Sequence, residues 1–473
     1  MAKIASSNLA EPTHESSDND NRFSPFETMD WWVWIVAAAG SYLLLIIFLT
    51  WRHPEPHFAW DSFDHKQLTF TPDFHWGTAT AAHQIEGHNT NNWSFFEESN
   101  GIERSGAACD HWNRWREDFE LLEELGVGYY RFSIEWSRLE PERNAWDGSA
   151  LSIYSEMVDD LLERGIRPMI TLHHFTHPRW FEELGGFADH DNIGHWVDYC
   201  ERIFDALSDR VKDWCTINEP EVFSIMGYTM GMFPPGERSI RKTFKVMHNM
   251  MAAHALVYRS LKSRRSEVRI GIAKNITIFD PLRRWNLLHW LTARVLNHLW
   301  NDAWISALRR GRMLCRRIEY AKGSIDFIGL NYYTHILASP FMPRTTEVQL
   351  PKREHEVMTD FGYPMYAEGL RRAIEMVALL KVPIEITENG VADEDDDIRP
   401  EHIYRHLWIL SQAIADGHDI RSYYHWSLMD NFEWSEGYKM RFGLHHVDYE
   451  TQERTLRTSG KLFREIIQTN DSV

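Results

Sequence analysis

Eight short apolar segments rich in β-branched and aromatic residues recur along the chain from residue 70 onward. Segments with apolar residues three and four positions apart, typical of amphipathic helices, lie between them. This alternation predicts a parallel sheet covered by helices, and eight such units in roughly 400 residues predict a (β/α)8 TIM barrel with loop insertions. The predicted strands are 74–80, 129–134, 168–172, 211–217, 270–273, 327–331, 384–387 and 422–426. The clearest predicted helices are 115–125, 153–164, 196–208, 245–263, 367–380 and 403–415.

Two of the predicted strands lead directly into a glutamate. Glu219 lies in the segment TINEP at 216–220, and Glu388 lies in ITENG at 386–390. In a parallel barrel the carboxyl ends of the strands meet on one rim, where catalytic residues gather. Cleavage of a glycosidic bond needs two carboxyl groups, one to protonate the leaving oxygen and one to act as nucleophile or base. Although Asn-Glu-Pro alone most often marks a turn, the two segments together predict a sugar-cleaving site.

Further motifs in the same order identify a resemblance that covers residues 70–467. The chain resembles glycoside hydrolase family 1, the β-glucosidase family. The matching segments, besides the two that contain the glutamates, are GTATAAHQIEG at 77–87, ACDH at 108–111, YRFSIEWSR at 130–138, TLHH at 171–174, GLNYYT at 329–334, WSLMDNFEW at 426–434 and RFG at 441–443. Two positions depart from the usual family pattern, His83 in place of a bulky aromatic residue and Phe175 in place of tryptophan.

The resemblance implies a role for each matching site residue. Glu219 corresponds to the general acid/base and Glu388 to the nucleophile of a retaining mechanism, with Arg131 and Tyr333 keeping the nucleophile ionised. Glu219 then requires a raised pKa, so that it enters the reaction protonated. The residues that correspond to substrate-binding positions are Gln84, His174, Asn218, Asn331, Tyr333, Trp426, Glu433 and Trp434.

Glu433 bears on the class of sugar. A carboxylate that accepts hydrogen bonds from sugar hydroxyl groups would repel a 6-phosphate, whose charge would remain unpaired beside it. The sequence therefore predicts a neutral glucose- or galactose-type glycone. It does not distinguish between the two, and it does not identify the natural aglycone or the oligomeric state.

Three functions are compatible with these residues. The first is a retaining β-glycosidase that hydrolyses neutral β-glucosides or related β-glycosides. The second is a membrane-associated transglycosylase that transfers the sugar from Glu388 to a glycolipid or sugar hydroxyl, and the third is an inactive sugar-binding relative. The presence of both glutamates argues against the third. Four cysteines without metal-type spacing predict no metal and no disulfide framework, no cofactor is implied, and a formal net charge of −19 argues against nucleic-acid binding.

The amino terminus predicts a membrane anchor. Residues 1–30 are polar and predicted to be disordered, whereas 31–51 carry no charge and have tryptophan at both ends, as expected of a single transmembrane helix. Residues 52–69 are predicted to be a linker and 70–473 the catalytic domain. The alternatives for 31–51 are a cleaved signal peptide and a buried core helix. The few basic residues near the segment leave the side of the membrane that carries the catalytic domain undetermined.

The insertion at 282–308 has two interpretations. It combines tryptophan and leucine residues with arginines such as Arg283 and Arg294. One interpretation is an amphipathic helix that covers the barrel, and the other is a helix that lies against lipid.

Overall fold

The computed structural model describes residues 31–341 and 349–471, so the tail predicted to be disordered at 1–30 lies outside the described residues. The chain divides into two compact units, 1–54 and 55–473. In the first unit, an α-helix extends over Trp31–Arg52, one residue beyond the predicted segment. At a rise of about 1.5 Å per residue the helix is roughly 33 Å long. By length and composition it can cross a membrane, although a signal sequence near the amino terminus would meet the same criteria.

The second unit contains a closed barrel of eight parallel strands. In chain order they are β1 (His75–Ala79), β2 (Tyr129–Ser133), β3 (Arg167–His173), β4 (Asp213–Asn218), β5 (Arg269–Asn275), β6 (Phe327–Asn331), β7 (Ile384–Asn389) and β8 (Ile420–Trp426). Each strand pairs with the next one in sequence, and β8 pairs with β1 to close the barrel. All eight predicted strands are therefore confirmed, with differences of up to two residues at their ends.

Helices surround this sheet and bury its outer surface. Their bounds are Ala82–Ile85, Asn92–Asn100, His111–Leu125, Trp136–Leu139, Gly148–Glu163, Arg179–Glu183, Ile193–Leu207, Pro220–Ile225, Ile240–Arg264, Leu287–Asn297, Ala303–Arg310, Glu368–Val377, Arg399–Ala415 and Thr458–Asp471. The strands are buried on both faces, which explains why they appear in the sequence as continuous apolar runs rather than as alternating patterns. The helix at Ile240–Arg264 begins five residues before its predicted start because Ser239 caps it by accepting a hydrogen bond from the amide of Lys242.

The segment assigned to a linker differs from its prediction. Residues 55–69 belong to the same compact unit as the barrel. The indole nitrogen of Trp60 donates to Oε1 of Glu368 at 3.0 Å, and the backbone amide of Phe58 donates to the same oxygen at 2.8 Å. These partners lie about three hundred residues along the chain, so the polar composition of the segment gave no sign of the contact.

Short strands extend the structure beyond the barrel. Ile278–Pro281, which follows β5, pairs in parallel with His335–Ala338, which follows β6. The helix Leu287–Asn297 packs against this pair through Ala293 and Leu296. Three antiparallel pairs complete the described strands: Arg312–Met313 with Arg316–Arg317, Val357–Met358 with Pro364–Met365, and His445–Val447 with Arg454–Leu456.

Candidate active site

The polar residues predicted for the site meet at the carboxyl ends of the barrel strands. Arg131 projects from β2, Asn218 ends β4, Asn331 ends β6 and Glu388 lies near the end of β7. All four are buried. A network of hydrogen bonds connects them directly, so the structure brings together residues separated by more than 250 positions in the sequence.

The Glu388 carboxylate is held by one cation and one hydroxyl group. Nη1 of Arg131 donates to Oε1 of Glu388 at 2.7 Å, and the Tyr333 hydroxyl donates to Oε2 at 2.7 Å. Burial raises the pKa of Glu388, and Arg131 and Tyr333 oppose that rise. Burial also lowers the pKa of Arg131, but the Glu388 carboxylate outweighs this effect and leaves the arginine pKa above its usual value. The ion pair therefore favours an ionised Glu388.

Glu219 has a different environment. It follows β4 with φ of 42°, a left-handed conformation that is uncommon outside glycine, and its backbone amide donates to the carbonyl of Ala273 on β5 at 2.9 Å. Its Oε1 accepts from Asn331 at 2.8 Å and from Asn275 at 3.0 Å. Burial, followed by the charge of Glu388, raises the pKa of Glu219 to about 8. The carboxyl that lacks an arginine partner therefore retains its proton at neutral pH.

Neutral and aromatic side chains form the adjoining wall of the site. Nδ2 of Asn218 donates to Nε2 of His174 at 3.0 Å, so the proton of the neutral imidazole is on Nδ1. Burial lowers the pKa of His174 well below its usual value, and the charge of Arg131 adds to this effect. The His174 ring stacks 5.8 Å from Trp426 and 6.0 Å from Trp434. Among the described residues, Nδ1 of His174 has no hydrogen-bond partner.

Gln84 and Glu433 form the other end of the same wall. Nε2 of Gln84 donates to Oε2 of Glu433 at 3.1 Å and to the carbonyl of Phe432 at 2.8 Å. Within the described part of the chain, Oε1 of Gln84 is without a partner. Burial, with a smaller contribution from the charge of Glu388, raises the pKa of Glu433 to about 8. The pocket thus presents a hydrogen-bond acceptor, a donor and a carboxyl group beside indole rings.

The structure changes the interpretation of Asn331. Its Nδ2 donates to both Asn218 and Glu219, and its Oδ1 accepts from the Thr387 hydroxyl at 2.6 Å. These bonds use both amide hydrogens. Asn331 is therefore arranged to position the Glu219 carboxyl rather than to offer a free donor to a sugar.

Three residues that the sequence analysis did not single out support Glu219. Asn275, the last residue of β5, donates to its carboxyl. Behind it, Nζ of Lys274 lies 2.9 Å from Oε1 of Glu221 in a buried ion pair. The position of Asn275 at the end of a barrel strand is a signal that could have identified it, whereas nothing in the local sequence indicates that Lys274 and Glu221 pair.

His83, one of the departures from the family pattern, lies at the edge of the pocket. Its ring stacks on Trp434 with centroids 5.7 Å apart, and its Nε2 lies 2.9 Å from Oε1 of Glu97. Phe175, the other departure, packs edge-on against the same tryptophan at 5.1 Å. Both residues that depart from the family pattern therefore contact the indole ring of Trp434.

The site lies at the carboxyl-end rim of a (β/α)8 barrel and contains two buried carboxyl groups. One is paired with arginine and the other has a raised pKa, and these are the features of a glycoside hydrolase site. Comparison with known proteins agrees. Residues 66–472 match the sequence profile of Glycosyl hydrolase family 1. The chain is 34% identical over 445 residues to Beta-glucosidase A of Thermotoga maritima, covering 85% of this chain and 98% of that protein.

Solved structures give the same result. A beta-glycosidase from Pyrococcus horikoshii is 40% identical and superposes with a TM-score of 0.79, covering 85% of this chain and 96% of the other. The psychrophilic beta-glucosidase of Micrococcus antarcticus is 32% identical with a TM-score of 0.80, covering 86% and 99%. The chain belongs to glycosyl hydrolase family 1, and it is a glycoside hydrolase of the β-glucosidase type.

Proposed function

We propose that the enzyme hydrolyses neutral β-glucosides or related β-glycosides by double displacement, with Glu388 as nucleophile and Glu219 as general acid and base. The observation that carries the proposal is the unequal environment of the two carboxyl groups. Glu388 is bound by Arg131, whereas Glu219 accepts hydrogen bonds only from neutral amides among the described residues. This difference supports a protonated Glu219 and an ionised Glu388 before the substrate reacts.

In the first step the Glu388 carboxylate attacks the anomeric carbon while Glu219 transfers its proton to the glycosidic oxygen. The carbon–oxygen bond breaks, and the aglycone leaves as an alcohol. In the second step the ionised Glu219 removes a proton from water, which attacks the same carbon and releases Glu388. Two inversions at one carbon retain the β configuration.

The substrate-binding roles follow from the groups that line the pocket. Oε1 of Gln84 is available to accept from a sugar hydroxyl, and Nδ1–H of His174 is available to donate to one. Glu433 adjoins Gln84, and Nδ2 of Asn218, which uses one hydrogen on His174, has a second hydrogen to donate to the sugar. Trp426 and Trp434 offer apolar ring faces to the carbon–hydrogen surface of the glycone.

Chemical rescue tests the two roles. Glu219→Ala should still react in the first step with an activated aryl β-glucoside, because a good leaving group needs no proton, but should hydrolyse the glycosyl enzyme slowly for lack of a base. Added azide should restore turnover and yield the β-glycosyl azide, and Glu388→Ala should yield the α-azide instead. The opposite pairing of variants and anomers would reverse the assignment of the two glutamates.

We propose a neutral glycone because of the cost of burying a phosphate beside Glu433, rather than because of charge repulsion alone. The raised pKa of Glu433 means that this carboxyl, like that of Glu219, is mostly protonated at neutral pH, so direct charge repulsion is weaker than the sequence suggested. Burying a 6-phosphate beside Glu433 would still cost several kcal/mol unless a cation paired with it, and neither Glu433 nor its partner Gln84 supplies one. The kcat/KM for a 6-phosphoglucoside should therefore be far below that for the parent glucoside, and preference for the phosphorylated substrate would contradict the proposal.

We also propose that the helix Trp31–Arg52 anchors the enzyme in a membrane as a single-pass span. Its length matches a hydrocarbon core of about 30 Å, and tryptophans lie at both ends, as in interfacial aromatic belts. The full-length protein should remain in the membrane fraction after carbonate and high-salt washing, since apolar burial is insensitive to charge screening. Recovery as a soluble protein with an intact amino terminus would refute the anchor, and a truncated amino terminus would identify a signal peptide.

A further inference from the structure

The helix Leu287–Asn297 is apolar on two opposite faces. Its inner face packs Ala293 and Leu296 against the short strands beyond the barrel. Its outer face carries Leu288, Leu291 and Val295, which recur at three- and four-residue spacing and are 61%, 59% and 46% exposed. A helix that is apolar all round belongs in a protein core or in contact with lipid. The exposed outer face of Leu288, Leu291 and Val295 is therefore a candidate contact surface.

The charges around this face are unlike those of the chain as a whole. Residues 282–297 contain three arginines and no acidic residue, in a chain with a formal net charge of −19. Arg283 and Arg294 are exposed, although Nη1 of Arg294 lies 3.8 Å from Oδ2 of Asp302, just beyond this segment. A lipid surface with anionic headgroups is complementary to an apolar stripe bordered by arginines, because the leucines enter the acyl boundary while the guanidinium groups remain among the phosphates.

One of these arginines is already paired within the barrel unit. The Glu55 carboxylate binds Arg353 at 2.7 and 2.8 Å, and it binds Arg284 at 3.0 Å. The charge that can face a lipid headgroup is therefore that of the exposed arginines.

The same helix lies on the side of the barrel that carries the active site. The chain continues from it to Trp300, whose Nε1 donates to Oδ1 of Asn275 at 3.3 Å, and Asn275 donates to Glu219. A bilayer in contact with the outer face would thus lie beside the rim of the barrel where the general acid meets the leaving group.

We propose that the outer face formed by Leu287, Leu288, Leu291 and Val295 is a bilayer-docking surface that sets the active-site rim on the membrane. The proposal rests on the apolar face and its exposed arginines and does not depend on the proposed amino-terminal anchor. Docking would bring the site to glycosides whose aglycone is embedded in the lipid.

The test uses the barrel unit alone, a chain that starts at Pro54. This unit has its own core and retains all of residues 66–472 that match the family. Its sedimentation with vesicles of phosphatidylcholine, and of an equimolar mixture with phosphatidylglycerol, measures docking without the amino-terminal helix. The unit should bind both, and the anionic mixture several-fold more tightly.

Leu288→Glu/Leu291→Glu should weaken vesicle binding by at least about ten-fold, because two charges would enter the apolar boundary. Leu162→Glu, at a leucine 36% exposed on a different helix, is the matched control and should bind as the unmutated unit does. All three should hydrolyse a soluble aryl β-glucoside equally, which verifies that they are folded.

Failure of the docking surface can be distinguished from failure of the anchor. An unmutated barrel unit that remains in the supernatant at every lipid concentration, or a double variant that binds normally, would overturn the docking surface even if the full-length chain resists carbonate extraction. A barrel unit that forms a dimer disrupted by the double substitution, without binding vesicles, would overturn it in favour of a second copy of the chain as the partner. Conversely, vesicle binding by the barrel unit together with a soluble full-length chain would refute only the anchor.

Discussion

Glu219 and Glu388 are buried and Glu433 is half-buried in the same pocket, and the protons on these three carboxyl groups determine how the site behaves with pH. Arg131 binds Glu388, so the two carboxyl groups without a cation have pKa values raised to about 8. Because these groups interact, their titrations are coupled and the observed pKa values belong to the set. Kinetics on variants can nevertheless assign the loss of activity to one group.

We expect kcat/KM to fall as the pH rises through about 8, since Glu219 must be protonated to act as an acid. The raised pKa preserves the acid form below this pH, and activity is lost above it. The measurement is a pH profile with a substrate whose leaving group is poor. In Glu433→Gln the alkaline limb should persist at lower overall activity, and its disappearance there would assign the titration to Glu433.

The buried pair Lys274–Glu221 supports Glu219 from behind. Lys274→Met should lower the free energy of unfolding by about 3–5 kcal/mol, because it leaves Glu221 buried without its cation. Lys274→Met/Glu221→Gln should recover most of that loss, since it removes both charges. Urea unfolding followed by tryptophan fluorescence measures both effects, and equal stability of the two variants would argue against the pair as a unit.

At the scale of elements, the ends of β7 and β8 are held together at Gly390. A Cβ atom at this position would lie 1.8 Å from the carbonyl oxygen of Trp426, which is backbone and cannot move aside. Glycine is thus required so that the loop after Glu388 can pass the end of β8. The strand register also shifts at this point, between Ile386 and Glu388.

Gly390→Ala should therefore lower kcat/KM by about a hundred-fold or more, since a displacement of the order of 1 Å at a catalytic group has that effect. It should also lower the melting temperature. Gly128→Ala is a suitable control, because a Cβ there meets no atom within 4 Å and the backbone has no positive φ. Similar activity of the two variants would show that the β7–β8 contact does not position Glu388.

The insertion after β5 illustrates how one element serves two surfaces. The inner face of Leu287–Asn297 covers short strands beyond the barrel, which supports the interpretation as a covering helix in part. Contact of its exposed outer face with lipid stays a proposal. Apolar periodicity alone does not reveal which leucines face inward. The neighbouring strands Ile278–Pro281 and His335–Ala338, brought together from distant parts of the chain, determine this.

At the scale of the whole molecule, the chain divides after Pro54 into two compact units. Every residue assigned to the site lies in the second unit. The first, as described, is the helix Trp31–Arg52. Catalysis on a soluble substrate should consequently not depend on the amino-terminal unit.

A chain that begins at Pro54 should retain kcat/KM within about two-fold of the full-length enzyme in detergent on a soluble aryl β-glucoside, because no group in the mechanism is removed. A chain that begins at residue 70, the predicted domain boundary, should be less stable. It would lack Trp60, whose indole is buried and bonded to Glu368, and also Glu55. Thermal unfolding of the two truncated chains measures the difference. Equal stability would show that residues 54–69 behave as a linker and do not stabilise the barrel.

The sequence alone determined the positions of the eight barrel strands and identified Glu219 and Glu388 as the paired carboxyl groups. These features are local, since apolar runs mark buried parallel strands and a glutamate at the end of a strand marks the rim. Only the tertiary structure decided the partners of Glu219 and the use of both Asn331 amide hydrogens. It also decided the packing of residues 55–69 and which face of Leu287–Asn297 is exposed. Each depends on contacts between residues far apart in the chain. Local sequence can place Asn275 and Asn331 at strand ends, but it does not specify which residues they contact.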